Sequence, residues 1–300
     1  MHKIAAVIVT FNRLDKLKKS LVFTLQEPFD KIIIINNAST DGTSDYLSSI
    51  DDERVHSIHL TENIGGAGGF YTGFKYVAEH CDVDWLVCYD DDAYPEKGSI
   101  ELFKQLKIPR DAASLAAAVY LPSGKISRMN IPRYNPFRSL KLYIDKKAYN
   151  STEDIDIDMS SFVGYFVRTD LMRQYRYYPE KKLFIYGDDL IYSYGLKKRG
   201  WRHLFIPRIR FIHDCATLTQ GSDVYRPLWK VYFILRNGTE LYRSLFYPSG
   251  VAYLIVKYIQ LITKSTKYNK KEREQYIRLI NKAFIDAWNR NFSVRIEDLI

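Results

Sequence analysis

The chain has 300 residues, which suits one large α/β domain or a domain of roughly 220 residues with an appended helical segment. Hydrophobic residues make up 46% and aromatics 15%, which excludes general disorder; 44 Lys and Arg against 35 Asp and Glu leave a charge of +9, which favours nucleotides, polyanions or a lipid surface as partners. Three cysteines (Cys81, Cys88, Cys215) without a CxxC pair exclude a disulfide framework and a Cys-rich zinc site, and point to a reducing, cytoplasmic compartment.

Residues 4–10 form a β-branched run directly after Met-His-Lys, with no arginine-rich leader. Residues 14–25 read as a helix with Leu14, Leu17, Leu21, Val22 and Leu25 on one face, and residues 31–35 as a second buried strand. A polar loop at 36–43 precedes a short helix at 44–50, a strand at 55–60, a helix at 69–80 and a strand at 85–89. This βαβα order predicts a mostly parallel sheet with helices on both faces and ligands beyond the carboxyl ends of the strands. The polar stretches 10–13, 36–41, 63–66 and 90–92 all follow predicted strands and therefore share one rim. Residues 115–167 are strand-like, with a charged loop at 143–158; a helix at 188–199 and a strand at 203–206 follow. Beyond about residue 225 the pattern is helical, at 227–244 and from 250 into a charged helix at 270–290. We expect an α/β catalytic unit at 1–225 and a basic helical unit at 226–300. The longest lipid-like stretch, 251–262, includes Lys257 and falls short of the roughly 20 residues a spanning helix needs.

An N-terminal βαβ unit raises dinucleotide binding and P-loop chemistry, but both require glycines in the first loop. That loop is Thr10, Phe11, Asn12, Arg13, without glycine. The glycine-rich run comes later, at Gly65 to Gly69, lacks the third glycine of GxGxxG, and is followed by no Lys-Ser or Lys-Thr pair. It reads as close backbone approach to a bulky ligand, or as a tight turn before a helix. The strongest local signal is an apolar strand ending in Asp90, Asp91 and Asp92. Alternation puts Asp90 and Asp92 on one side, where their repulsion is offset by a divalent cation such as Mg²⁺ or Mn²⁺; the alternative is a cap for a helix after Pro95.

The order of these elements resembles the GT-A nucleotide-sugar transferases of glycosyltransferase family 2. The resemblance rests on Val9 to Arg13 (VTFNR), the loop 36–43 (NNASTDGT), residues 63–69 (NIGGAGG), Asp90 and Asp92 as a DxD pair, Tyr186 to Asp189 (YGDD), Gly200 with Trp201, Pro207 and His213; it covers about residues 3–240. With residues 232–237 (YFILRN), the set most resembles bacterial galactofuranosyltransferases, with rhamnosyltransferases as close relatives. The resemblance implies an inverting transferase that moves galactofuranose from UDP-galactofuranose onto a glycan or lipid-linked glycan in cell-surface polysaccharide synthesis, such as O-antigen. It implies Asp189 as general base and Asp188 orienting acceptor hydroxyls, with a helix cap as the alternative for either. It further implies Asp90, Asp92 and His213 as metal ligands, and Thr10, Phe11, Asn12, Arg13, Asp41, Asn63, Gly65, Gly66 and Asp91 around the donor. Phe162, Gly164 and Trp201 would line the acceptor.

Several of these residues have plainer readings. Asp41 also fits an Asx turn and Trp201 a buried anchor; Arg236 with Asn237 fits a diphosphate contact, a brace for active-site loops, or an ordinary helix-surface pair. The stretch 257–290 carries nine Lys and Arg against three acids, interleaved with large apolar residues. That pattern suits helices lying on anionic lipid at the inner face of the plasma membrane, or a helical subdomain with a solvated basic face. Nucleic acid is not expected, because the rim holding Asp41, Asp90, Asp92, Asp188 and Asp189 repels phosphates unless metal is present.

Overall fold

A computed structural model describes residues 1–215 and 224–300. Strands β1 (Ile4–Thr10), β2 (Lys31–Asn36), β3 (Val55–His59) and β4 (Trp85–Asp90) alternate with helices α1 (Leu14–Thr24), α2 (Thr43–Ser48) and α3 (Gly65–His80). β5 (Ala93–Pro95), α4 (Ser99–Lys104), β6 (Ala112–Tyr120), β7 (Ile155–Asp156), β8 (Tyr165–Arg168), α5 (Thr169–Tyr175), α6 (Asp188–Lys198) and β9 (Arg202–His213) follow. The chain ends in α7 (Lys230–Leu245), α8 (Tyr247–Lys264) and α9 (Lys270–Asn289).

The strands order as β3-β2-β1-β4-β8-β6-β9-β5, with β7 on β9. β1 to β4 are mutually parallel, β8 is antiparallel between β4 and β6, and β9 runs parallel to β6. Runs such as Ile32 to Ile35 are apolar on both pleat faces because helices cover both. Alternate residues of β1 separate the layers: Ile4, Ala6 and Ile8 pack with Leu17 and Leu21 of α1 and Phe103 of α4. Ala5, Val7 and Val9 pack with α3, α5 and α6 through Phe74, Leu171 and Tyr192. Helices α7 to α9 share a core of their own around Tyr232, Leu261 and Leu279, into which Phe184 and Ile185 pack.

Most predicted elements lie within a few residues of their expected bounds, with three differences of consequence. α3 starts at Gly65 rather than Gly69, so the glycine run is its first turn. Gly65 has φ +75°, and a Cβ there would lie 2.1 Å from the Phe184 carbonyl oxygen; a Cβ on Gly69 would lie 2.5 Å from Val9. The glycines thus let α3 sit directly on β1 and against the 184–187 segment. Second, β9 extends to His213, with a register shift where Ala117 pairs Ile206 and Ala118 pairs Arg210; Pro207, without an N–H, falls in the bulge. Third, of the stretch 115–167 only β6, β7 and β8 are strand, and residues 121–154 are loop with short 3-10 turns.

Candidate active site

The carboxyl ends of β1, β2, β4 and β9 meet on one rim, since Val9 is in register with Asp90 and His213 with Ala93. The short β5 hairpin returns the chain onto β9, so Asp92 is held against His213. One ligand atom each from Asp90, Asp92 and His213 can be chosen within 4.8 Å of one another. The cap alternative for these aspartates is excluded by geometry: the N-terminus of α4 is served by buried Glu27, which accepts from Gly98 N (2.6 Å) and Ile100 N (2.8 Å).

Hydrogen bonds orient this triad for a cation. His213 Nδ1 lies 2.9 Å from Asn130 Oδ1, an acceptor that also takes the Ser127 hydroxyl (2.6 Å), while Asn130 Nδ2 donates to Ser161 Oγ (2.8 Å). The imidazole proton is therefore on Nδ1, and Nε2 turns a lone pair toward Asp92 Oδ1, 3.2 Å away. That buried oxygen has no hydrogen-bond donor. Two lone-pair atoms facing each other in a buried site fit a divalent ion between them. Asn130→Ala is expected to weaken Mn²⁺ binding about 10- to 100-fold by titration calorimetry without changing the fold.

Charge is arranged unevenly across the three aspartates. Asp91 accepts from Thr10 Oγ1 (2.8 Å) and pairs with Arg13 (3.0 Å); Asp92 pairs with Arg13 on its other oxygen (2.5 Å). Burial, then the charge of Asp92, pushes the Asp90 carboxyl up to about 7. Burial also raises Asp91, to about 6, with Arg13 opposing. Burial works against ionisation of Asp92 too, but a positive charge at His213, present when Nε2 carries a proton in place of a metal, and the charge and bond of Arg13 outweigh it and hold that carboxyl below its usual range.

Two cavities of about 350 Å³ each open beside this centre and share Arg13, Gly66, Asp90, Ile185 and Lys230. One is lined by Thr10, Phe11, Asn37, Asn63, Gly65, Asp91 and Trp229. The other holds Asp92, His213, Phe162, Tyr186, Asp188 and Asp189. A larger cavity of about 680 Å³, between α3, α5 and residues 176–181, contains none of these carboxylates.

Asp188 and Asp189 begin α6, whose N-cap position is Gly187, so neither is the capping side chain, although Asp189 Oδ1 accepts from Leu190 N (2.7 Å). Burial, then the charge of Asp189, raises the Asp188 carboxyl far above its ordinary value; burial also raises Asp189. The pair enters the cavity on a segment with φ of +65° at Phe184, +67° at Tyr186 and +84° at Gly187. Asn237 holds this costly backbone, its Nδ2 donating to the carbonyls of Leu183 (2.8 Å), Ile185 (2.6 Å) and Tyr186 (3.0 Å), and buried Arg236 adds a bond to Leu183 O (3.1 Å). Buried Arg236 and Asn237 are not a helix-surface pair, and their bonds to the 183–186 carbonyls make them a brace.

Four expected site residues are not brought to either cavity. Trp201 immediately precedes β9, at the opposite end of that strand from His213, and is half-buried against the core cluster of Phe74, Leu171 and Leu196. Gly164 is a packing position: it bonds β4 through Cys88 O, and a Cβ there would lie 2.9 Å from Ala117 and Phe211. Asp41 spends its carboxylate on Leu14 N (2.9 Å) and Thr43 Oγ1 (2.6 Å), the turn alternative. Asn12 Oδ1 accepts from Thr40 N (2.7 Å), tying the same two loops together. Conversely, Lys230, Trp229, Asn37 and Asn130 were not expected. Lys230 and Asn130 carry no motif; an Asn pair at 36–37 after a buried strand is the one signal that was available.

A mostly parallel sheet with an Asp-Asp-His cluster at its rim and two cavities meeting there is an arrangement of the GT-A fold. Residues 5–184 match the family model described as Glycosyl transferase family 2, and the chain belongs to that family. It is similar to TuaG of Bacillus subtilis (strain 168), whose name assigns it provisionally as a teichuronic acid biosynthesis glycosyltransferase: 32% identity over 68 residues, 21% of this chain and 27% of that protein. The chain thus matches about a quarter of that relative's length. Among solved structures, S. aureus TarS 1–349 in complex with UDP-GlcNAc is similar at TM-score 0.59 and 13% identity, covering 95% of this chain and 81% of that one. The mannosyltransferase PcManGT from Pyrobaculum calidifontis, in complex with GDP-Man and Mn²⁺, is similar at TM-score 0.56 and 11% identity, covering 97% and 87%. At these identities the likeness is one of fold.

Proposed function

We propose that the chain is an inverting, metal-dependent glycosyltransferase that moves a hexose, galactofuranose from UDP-galactofuranose, onto a glycan or lipid-linked glycan acceptor of a cell-surface polysaccharide. The observation that carries this reading is the meeting of two cavities at Asp90, with Asp189 on the wall of one and Thr10, Asn63 and Gly65 lining the other. The second cavity takes the nucleotide, and Arg13 and Lys230, shared by both, face the diphosphate. Asp90, Asp92 and His213 hold the divalent ion, which supplies positive charge to the departing diphosphate.

Asp189 accepts the proton of the acceptor hydroxyl as that oxygen bonds the anomeric carbon and the bond to the nucleoside diphosphate breaks. Burial and the charge of Asp189 push the Asp188 carboxyl well above its ordinary value, which favours its neutral form and lessens repulsion toward the phosphates. The TarS and PcManGT structures carry UDP-GlcNAc and GDP-Man, so this fold accommodates donors with different bases and sugars. The test is incubation with UDP-galactofuranose, UDP-glucose, UDP-GlcNAc, dTDP-rhamnose and GDP-mannose with Mn²⁺, measuring nucleoside diphosphate release. Release from UDP-galactofuranose above the others is expected; preferential release of dTDP rejects the assigned sugar in favour of a rhamnosyl donor.

A further inference from the structure

The segment 136–143 projects large apolar side chains into solvent. Leu140 is 109% exposed and Phe137 50%, and Leu142 and Tyr143 are exposed as well. The Phe137 ring meets Phe246 with centroids 5.7 Å apart, which joins the segment to the α7–α8 junction, where Phe246 and Tyr247 are exposed. Arg243 donates to Ala287 O (2.7 Å) and so draws the end of α9, with exposed Trp288, to the same corner. Surface of this kind is costly in water unless something covers it.

The charges around it indicate what does. Residues 136–147 hold four cations, Arg138, Lys141, Lys146 and Lys147, against Asp145 alone. None of the four side chains forms an ion pair among the described residues. A second copy of the chain seated here would press two such cationic rims together, whereas an anionic bilayer neutralises the cations and receives the apolar side chains. We propose that this face, centred on Leu140 and Phe137, docks on an anionic membrane surface. This face is separate from the basic helices α8 and α9, for which the sequence pattern offers either a lipid-facing or a solvated reading. Asn135, at the base of the segment, donates to Tyr194 OH (2.6 Å) on α6, the helix that opens with Asp188 and Asp189. Docking would therefore turn the end of α6 that carries Asp188 and Asp189, and the cavity they line, toward the lipid. The surface stands whichever sugar is transferred.

The full chain is sedimented with vesicles of equal parts phosphatidylglycerol and phosphatidylcholine, and with phosphatidylcholine alone. Binding to the first and not the second is expected, with partitioning reduced about tenfold by Leu140→Asn and at least as much by Arg138→Ala combined with Lys141→Ala. Because these side chains are exposed, thermal unfolding should not change. Absence of binding to the anionic vesicles, or binding unaffected by Leu140→Asn, overturns the proposal. So does a concentration-dependent dimer that Leu140→Asn dissolves without any lipid binding, which would assign the face to a second copy. Donor turnover is measured separately, so loss of vesicle binding and loss of the proposed activity are distinguishable.

Discussion

Asp189→Asn is expected to lower sugar transfer by about three orders of magnitude while leaving donor and metal binding nearly intact. Its carboxylate lies in the cavity beyond the metal centre, and the substitution keeps its shape while removing its capacity to take a proton. Asp188→Asn provides the internal contrast. Burial and the charge of Asp189 push the Asp188 carboxyl well above its ordinary value, which favours the neutral form that an amide mimics, and the loss should be far smaller. The pH profile follows with a definite sign. Burial raises the Asp189 carboxyl, the active form is ionised, and turnover therefore falls as pH drops through that raised value. Turnover of Asp189→Asn within tenfold of wild type would reassign the base.

The second large effect is expected at Asp90. Asp90→Asn removes an anionic ligand from a three-ligand site, and calorimetry should show Mn²⁺ affinity reduced by about two orders of magnitude or more, with metal-dependent donor binding lost alongside it. In the unsubstituted chain the carboxyl titrates at about 7 because burial and Asp92 disfavour its charge, so binding an ion displaces a proton. Affinity should consequently fall about tenfold per unit as pH drops below 7 and level off above it. Stability without metal runs the other way. Asp90 and Asp91, raised to about 7 and about 6, bind protons more tightly in the folded state than in the unfolded chain. Their contribution is fully present below the ordinary carboxylate range of about 4 and is lost as pH rises through the raised values. Melting of the metal-free chain should therefore occur at lower temperature at pH 8 than at pH 5, and Mn²⁺ should restore it at pH 8.

Local chemistry made the first half of the fold readable. β-branched runs such as Ile32 to Ile35 and the spacing of Leu14, Leu17 and Leu21 each specify one period, and the strand ends then place Thr10, Asn63 and Asp90 on one rim. What depends on tertiary approach was not readable in this way. The helical start at Gly65 follows from the Phe184 carbonyl lying where a side chain would be, a contact between residues more than a hundred positions apart. Trp201 and Gly164 looked like pocket residues because type and neighbourhood matched, but strand direction sends the one to the far end of β9 and close packing buries the other. Asp41 and Asn12 were diverted by local hydrogen bonding, which short polar side chains satisfy before any ligand arrives. Asn130 was invisible because its importance lies wholly in what it bonds, His213, eighty-three positions away.

The reach of Asn237 and Arg236 into the carbonyls at 183–186 also bears on where this enzyme can be cut. A chain ended at residue 225 would keep every carboxylate of the rim and still lose the donors that hold Leu183, Ile185 and Tyr186 in shape. It would also lose Trp229 and Lys230 from the cavity walls. The smallest fragment worth expressing therefore extends through α7, and because α7 buries Tyr232 and Leu235 against α8 and α9, it extends in practice to the end of the helical unit. The two halves distinguished by composition are a single working part.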